Sequence, residues 1–485
     1  MTAVDPSVIE LVLWVASSLV LVVLVYVLAL VALSRYEPGD STHDPLPPVR
    51  ARAKSVVVVL PCLNEERRLG DTLGQLVAMD QPRMSILVVD DASSDGTADL
   101  VRTLRDPRVH LLQRTSPQAR QGRGPALNAA LAHLRRGAVP TLPDPSDVVV
   151  CVLNPGERWE GDTLAAVLPM FDDPRVGVVE LASRVDDRER KILARVQDLE
   201  ELLRAEVIQR GRQHFGSESL GCAGQFVRLS ALRSLGATPW SRGLAPEVDL
   251  GVRLLLDGWR TRFTCASAVH RPGPAGIGDW LGQRTRRAQG QIQCWPLVPE
   301  VMQHLGGMTR VHLLHRLSSP VPLLFSSLVA TALVLWAGAL TVGVAAGSVT
   351  PSWWWASPYL VALVPAVFLA EVYREASGDA RGVGARWRTV LVMHLYAGYA
   401  VLWSAAGWWA LVRVLTRRRG RRGSNRSRYA ARHRQSRRGA WAWLVAPVCA
   451  VGVGLWILFG SVEVSVQSGA EPAPSRVQPA WPDTL

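Results

Sequence analysis

Between residues 55 and 153 short, β-branched apolar runs alternate with longer mixed segments. SVVVVLP (55–61), ILVVDD (86–91), VHLLQR (109–114) and DVVVCVL (147–153) read as strands, and the uniformly apolar ones as strands buried on both faces. The intervening patterns predict helices over 65–79, 93–104 and 125–136, with Ser93 as the N-cap of the second. Repeated strand–helix–strand crossovers imply an α/β domain with a Rossmann-like parallel sheet and helices on both faces. Ligands in such sheets sit at the C-terminal strand ends, where Asn64, Asp90, Asp91 and Asn154 fall. Further on, residues 186–213 predict a long amphipathic helix with Ile192, Val196, Leu199 and Leu203 on its apolar stripe.

A second kind of pattern flanks this domain. Residues 8–33 hold one acid, Glu10, in an otherwise almost wholly apolar run, and similar runs occupy about 319–346, 352–372, 390–412 and 440–461. About 20 apolar residues match a bilayer's hydrocarbon core, so these stretches predict α-helical transmembrane segments and exclude a wholly soluble enzyme. The first run lacks a basic leader and a cleavage site, and reads as a retained anchor. The resulting division is an anchor at 1–36, a Pro-rich linker at 37–54, an α/β domain at 55–300, interfacial and transmembrane helices at 301–412, an Arg-rich loop at 413–438, a last span at 439–461 and a polar tail at 462–485.

Charge changes the picture only locally. The net charge is +13, but residues 413–438 alone contain 12 Arg and no acid. The remainder is therefore close to neutral, and the excess marks a juxtamembrane loop beside anionic lipid rather than a nucleic-acid surface. Six widely spaced cysteines form no CxxC pair, so neither a disulfide framework nor a zinc site is indicated.

The candidate chemistry lies in six ordered motifs: PCLNEERRL (61–69), VVDDASSDGT (88–97), GRGPALNAAL (122–131), GQFVRLSALRSLG (224–236), EVDLGVRLLLDGWRT (247–261) and QRTRRAQGQIQ (283–293). Carboxylates at strand ends can accept hydrogen bonds from base N–H and ribose hydroxyl groups, as Asp90, Asp91 and Asp95 would. The same residues also suit ordinary turns and helix starts. In this order the motifs resemble the membrane-embedded family 2 glycosyltransferases of GT-A fold, the group of cellulose, chitin and hyaluronan synthases and poly-N-acetylglucosamine synthases.

That resemblance implies a nucleotide-sugar pocket built from Glu65, Asp90, Asp91, Asp95, Arg123, Asn154, Gln283, Arg284, Arg286 and Arg287, with the arginines at the diphosphate. It implies Mg or Mn as cofactor, a UDP-linked sugar as donor, a lipid or glycan as acceptor, and no nucleic-acid partner. It also implies a multi-pass cell-membrane protein with the catalytic domain in the cytoplasm.

Three motifs depart from the family. The metal-binding DxD falls on Asn154-Pro155-Gly156, an amide and a glycine that make a poor site for Mg or Mn, with Glu157 the nearest carboxylate that could replace the lost ligand. The Glu-Asp pair carrying the general base falls on Pro246-Glu247, so Glu247 becomes the expected base, with Asp249 its neighbour. The Trp of the last motif is Arg287. The expected activity is an inverting sugar transfer to a hydroxyl. The alternative is a catalytically impaired relative that binds a nucleotide, glycan or partner.

Overall fold

A computed structural model describes residues 28–35, 54–137, 147–213, 224–318, 357–377 and 383–416, with scattered positions between them. The N-terminal part of the expected anchor, most of the 37–54 linker and of the 319–346 stretch, the 413–438 loop beyond Thr416, and everything C-terminal to it lie outside the described residues.

The strands form one eight-stranded sheet in the order β3-β2-β1-β4-β7-β6-β8-β5. Strands β1 (Ser55–Cys62), β2 (Met84–Asp90), β3 (Val109–Gln113) and β4 (Val148–Val152) pair in parallel, as the crossovers predict. Their apolar runs are the core itself: Val57, Val58, Leu60, Ile86, Val88 and Val149 have essentially no exposed surface. Helices α1 (Glu66–Ala78), α2 (Thr97–Thr103) and α3 (Arg123–Arg135) connect them.

The all-parallel expectation fails beyond β4. Strand β7 (Gln225–Arg228) runs antiparallel to both β4 and β6 (Val176–Val185). Strand β8 (Arg260–Arg271) is parallel to β6, and the two-residue β5 (Arg158–Trp159) is antiparallel to β8. The sheet is therefore mixed, an α/β GT-A-like arrangement. Periodicity did not reveal this because strand direction is set by connections, not by the apolar pattern of a strand.

Two local expectations also need correction. Ser93 is not the cap of α2, which begins at Thr97 after Gly96; its hydroxyl instead accepts the Asn64 N–H at 2.9 Å. The helix expected from residue 186 begins later, as α4 (Ile192–Leu203), and its first stripe residue, Ile192, is largely exposed. Val196, Leu199 and Leu203 are buried as expected, but so are Asp198, Glu200 and Glu201.

Those acids face arginines and the C-terminal helices. Asp198 accepts hydrogen bonds from Arg184 at 3.1 and 3.2 Å and from the Val185 N–H at 2.9 Å. Helix α5 (Pro246–Leu256) starts at the site described below, and α6 (Ile277–Gln293) packs on α7 (Gly307–Ser318) and on α9 (Val383–Thr416). Helix α8 (Ser357–Ser377) lies against α4 and α9, where Trp280, Tyr373, Tyr399 and Leu199 share one apolar cluster. Among the described residues no helix is long and apolar enough to cross a membrane.

Candidate active site

A cavity of about 270 Å³ opens at the C-terminal ends of β1, β2 and β4. Pro61, Cys62, Leu63, Glu65, Asp91, Arg120, Gly122, Arg123, Ala126 and Asn154 line it. Four of the expected binding residues meet there: Glu65, Asp91, Arg123 and Asn154. Arg120 was not anticipated, because a single arginine in a polar loop carries no pattern. Its guanidinium donates to Ala92 O at 2.7 and 3.2 Å, which ties the loop before α3 to the loop after β2.

The SSDGT loop is shaped by its own carboxylates. Asp90 accepts the Ser93 N–H at 3.0 Å and the Gln113 side-chain amide at 3.3 Å. Asp95 accepts from the Thr97 hydroxyl and N–H and, at 3.3 Å, from the Glu66 N–H. The Thr97 hydroxyl bond is the largest reason the Asp95 carboxyl lies below its ordinary range. Asp90 and Asp95 do not line the cavity; they hold the loop that presents Asp91, itself ion-paired with Arg114. Burial pushes the Glu65 carboxyl up, against the opposing charge of Arg68.

The GRGPALN segment brings a cation to the cavity and fixes the backbone that carries it. Gly122 takes φ 106, a left-handed conformation that favours glycine, as α3 begins. A Cβ on Gly124 would stand 1.8 Å from Ser241 O, so only glycine permits this approach to the segment before α5. Asn128 then clamps the same segment, donating to Trp240 O at 2.8 Å and accepting the Trp240 N–H at 3.1 Å. The last motif holds the start of α5 from the other side: Gly290 leaves no room for a Cβ beside Ala245, and Gln293 accepts the Leu244 N–H at 2.8 Å. Asn128, Gly290 and Gln293 escaped the sequence reading, since their partners lie 112, 45 and 49 residues away.

This packing brings Glu247, in the first turn of α5, to Arg123. Arg123 Nε stands 2.8 Å from Glu247 Oε1, and the two side chains are 35% and 15% exposed. Neither atom makes a hydrogen bond of acceptable geometry although both are shielded from solvent. Asp249 is engaged one turn on by Arg253 at 2.6 Å. Glu247 is thus the carboxylate adjoining the cavity wall, and Asp249 a helix-face partner of Arg253.

The arginines of the last motif are not at the cavity. Arg284, expected at the diphosphate, is buried and grips Glu200 through both terminal nitrogens, one at 2.7 Å. It also donates to Tyr399 Oη at 2.6 Å and lies over the Trp403 ring, 4.3 Å from its centroid. Tyr399 Oη accepts from Trp280 Nε1 at 2.8 Å and donates to Glu200 at 3.0 Å. Burial pushes the Glu200 carboxyl up, yet the charge and hydrogen bonds of Arg284, with the charges of Arg287 and Arg204, together hold Glu200 below its ordinary value. Gln283 bonds Asp279 at 3.1 Å, Arg286 is exposed, and Arg287 faces Glu201 at 3.7 Å. None of the four lines the cavity. For two of the arginines the cause is plain: α4 presents buried acids to α6, and Glu200 takes Arg284 while Glu201 faces Arg287.

The residues at the expected metal position do not suit a divalent cation. Glu157 is 6% exposed, and its two oxygens accept the Asn154 N–H at 2.8 Å and the Asn154 side-chain amide at 2.7 Å. Gly156 contributes no carboxylate, and its N–H donates to Thr72 at 2.8 Å. Among the described residues no three His, Cys, Asp or Glu side chains are grouped to hold a metal ion. Hard divalent cations need several oxygen ligands, which this donor set lacks.

Residues 53–290 match the family model described as "Glycosyltransferase like family 2". The chain is 28% identical over 242 residues to the "Probable glycosyltransferase YdaM" of Bacillus subtilis, covering 48% of this chain and 54% of that protein. It is 28% identical over 243 residues to a "Beta-monoglucosyldiacylglycerol synthase" of Trichormus variabilis, covering 49% of each. The chain thus spans about half the length of these curated relatives. Among solved structures, the mannosyltransferase PcManGT from Pyrobaculum calidifontis, in complex with GDP-Man and Mn2+, matches with a TM-score of 0.50 at 18% identity, covering 83% of this chain and 98% of that one. At that identity the likeness is one of fold.

Proposed function

We propose, from the family 2 glycosyltransferase domain at residues 53–290, that this chain moves a sugar from a nucleotide-diphosphate sugar to the hydroxyl of a lipid or glycan acceptor, with inversion. The observation that carries the reading is the meeting of Arg123, in the cavity wall, with Glu247 at 2.8 Å. Arg123 can compensate the departing diphosphate and Glu247 can activate the attacking hydroxyl; an in-line displacement sets these two roles on opposite sides of the sugar, so the pair parts when the substrates bind. Glu247 takes the acceptor proton as the new glycosidic bond forms. The nucleoside diphosphate leaves with the electron pair of the broken bond, and Arg123 and Arg120 compensate its charge. Glu65 and Asp91 offer acceptors to the nucleoside at the other end of the cavity. Because the residues around Asn154 and Glu157 do not suit a metal ion, no step is assigned to one.

We propose also that the reaction takes place at the cytoplasmic face of a membrane. The long apolar stretches of the sequence support this, as do the exposed Trp387, Leu391, Leu395, Leu402 and Trp409 along α9. The test is the purified chain in lipid, screened against labelled UDP- and GDP-linked sugars. Transfer to a lipid or glycan supports the reading. Failure to bind any nucleotide would instead favour a partner-binding role. Cysteine labelling of the α/β domain from outside the cell would overturn the proposed orientation.

A further inference from the structure

We propose that the Arg123–Glu247 ion pair is a latch operated by the donor: until a diphosphate enters the cavity, Arg123 occupies the base, and donor binding draws Arg123 away and frees Glu247 for the acceptor. The inference rests on the nucleotide-sugar reading of the cavity and adds an order of events to it.

The geometry gives Arg123 two competing places. Its side chain lines the cavity, where a diphosphate would need it, yet its Nε stands 2.8 Å from Glu247 Oε1. The pair is poorly made: both atoms are shielded from water and neither completes a hydrogen bond with the other or with anything else among the described residues. Charge alone, with no hydrogen-bond geometry, holds this contact between two side chains that stay 35% and 15% exposed. A phosphate offers a guanidinium two parallel hydrogen bonds and more charge than one carboxylate. The exchange therefore runs toward the diphosphate whenever one is present.

The backbone on both sides is fixed, so only side chains need to move. Gly124 seats α3 against Ser241, Asn128 holds Trp240, and Gly290 and Gln293 hold Ala245 and Leu244. Arg120 stays with Ala92 O at the cavity edge and supplies the standing charge that first attracts the donor. While Arg123 lies on Glu247, the carboxylate oxygen that would take the acceptor's proton is covered. Glu247 Oε1 is thus covered until the donor draws Arg123 away, and the carboxylate is fully open to the acceptor only after the donor is bound.

Binding measured without turnover tests this. Calorimetric titrations with UDP and with GDP would use the full chain in lipid, as wild type, Glu247→Gln, Arg123→Met and the double variant. With the latch, Glu247→Gln releases Arg123 and tightens nucleotide binding, by up to about fivefold, the worth of a partly exposed ion pair. Arg123→Met weakens binding, and adding Glu247→Gln to it then changes nothing, because the effect of Glu247 runs through Arg123. Equal tightening by Glu247→Gln in both backgrounds would mean only that a negative charge had been removed, and would overturn the latch while leaving the nucleotide site intact. Unchanged or weakened binding in the single Glu247→Gln variant would overturn it too. Absence of binding of both nucleotides to the wild type would sink the reading of the cavity, and the latch with it.

Discussion

Arginine meets carboxylate in two regions of this molecule, and the two are built to opposite ends. At the cavity, Arg123 and Glu247 are partly exposed side chains that touch through one solvent-shielded contact completing no hydrogen bond. Between the α/β domain and the C-terminal helices, Arg284 and Glu200 are both nearly inaccessible, joined twice, and closed off by Tyr399, Trp280 and Trp403. A buried pair survives desolvation only when nearly every polar atom is satisfied, which fixes the geometry and leaves no capacity for a ligand. A half-made pair at a cavity wall keeps that capacity. Sequence resemblance placed both Arg123 and Arg284 at the diphosphate, whereas Arg284 is taken up by Glu200 and Tyr399.

Breaking each region should separate them. The largest effect is expected on turnover: Glu247→Gln keeps the shape but removes the base, at a cost of about 10²–10⁴ in rate. Full retained activity in a sugar-transfer assay would dismiss the mechanism. Next comes stability. Glu200→Gln leaves Arg284 as a buried charge lacking its counterion, a loss of about 3–5 kcal/mol, whereas an apolar pair such as Glu200→Leu with Arg284→Met should recover most of it. Denaturant unfolding of all three variants gives the answer, and a Glu200→Gln protein as stable as wild type would refute the structural role.

A third, smaller effect links the two regions. Gly124→Ala forces a methyl group against Ser241 O, so α3 must shift away from the start of α5. Turnover should fall at least tenfold, about 1.4 kcal/mol in barrier, because a misplaced base loses alignment. The same substitution at Gly236, which has φ 91, lies outside the cavity lining and would place a Cβ with nothing within 4 Å, serves as a control for backbone strain alone. The smallest effect is expected from metal: with Asn154 and Glu157 bonded to each other, nucleotide affinity in EDTA and in Mn²⁺ should differ by less than about tenfold. Greater tightening by Mn²⁺ would show that other carboxylates complete a site.

Legibility followed the range of the interactions. SVVVVLP and DVVVCVL are buried as runs, because uniform apolarity needs only local sequence to be read. Of the strand-end residues Asn64, Asp90, Asp91 and Asn154, which the crossover rule singled out, Asp91 and Asn154 line the cavity, and Glu65 joins them as the resemblance implied. The antiparallel β7 was not legible, nor were the partners of Arg284 and Asn128, which lie 84 and 112 residues away. Local signals also misled where two devices compete: SSDGT looks like a helix cap at Ser93, but that hydroxyl is claimed by Asn64 from across the loop.

The tie between α6 and α9 bears on how such an enzyme could be subdivided, in evolution or in the laboratory. The matched family region ends at residue 290, yet Trp280, Arg284 and Glu200 meet their last partners on a helix that begins at Val383. A polypeptide halted after Gln293 would expose a charged pair stripped of its hydroxyl and the indole of Trp280, one of the largest buried side chains in the molecule. The matched region is thus not closed in its own packing. Recombination that swaps the C-terminal helices would have to carry Tyr399 and Trp403 with them, or replace the acids of α4 at the same time.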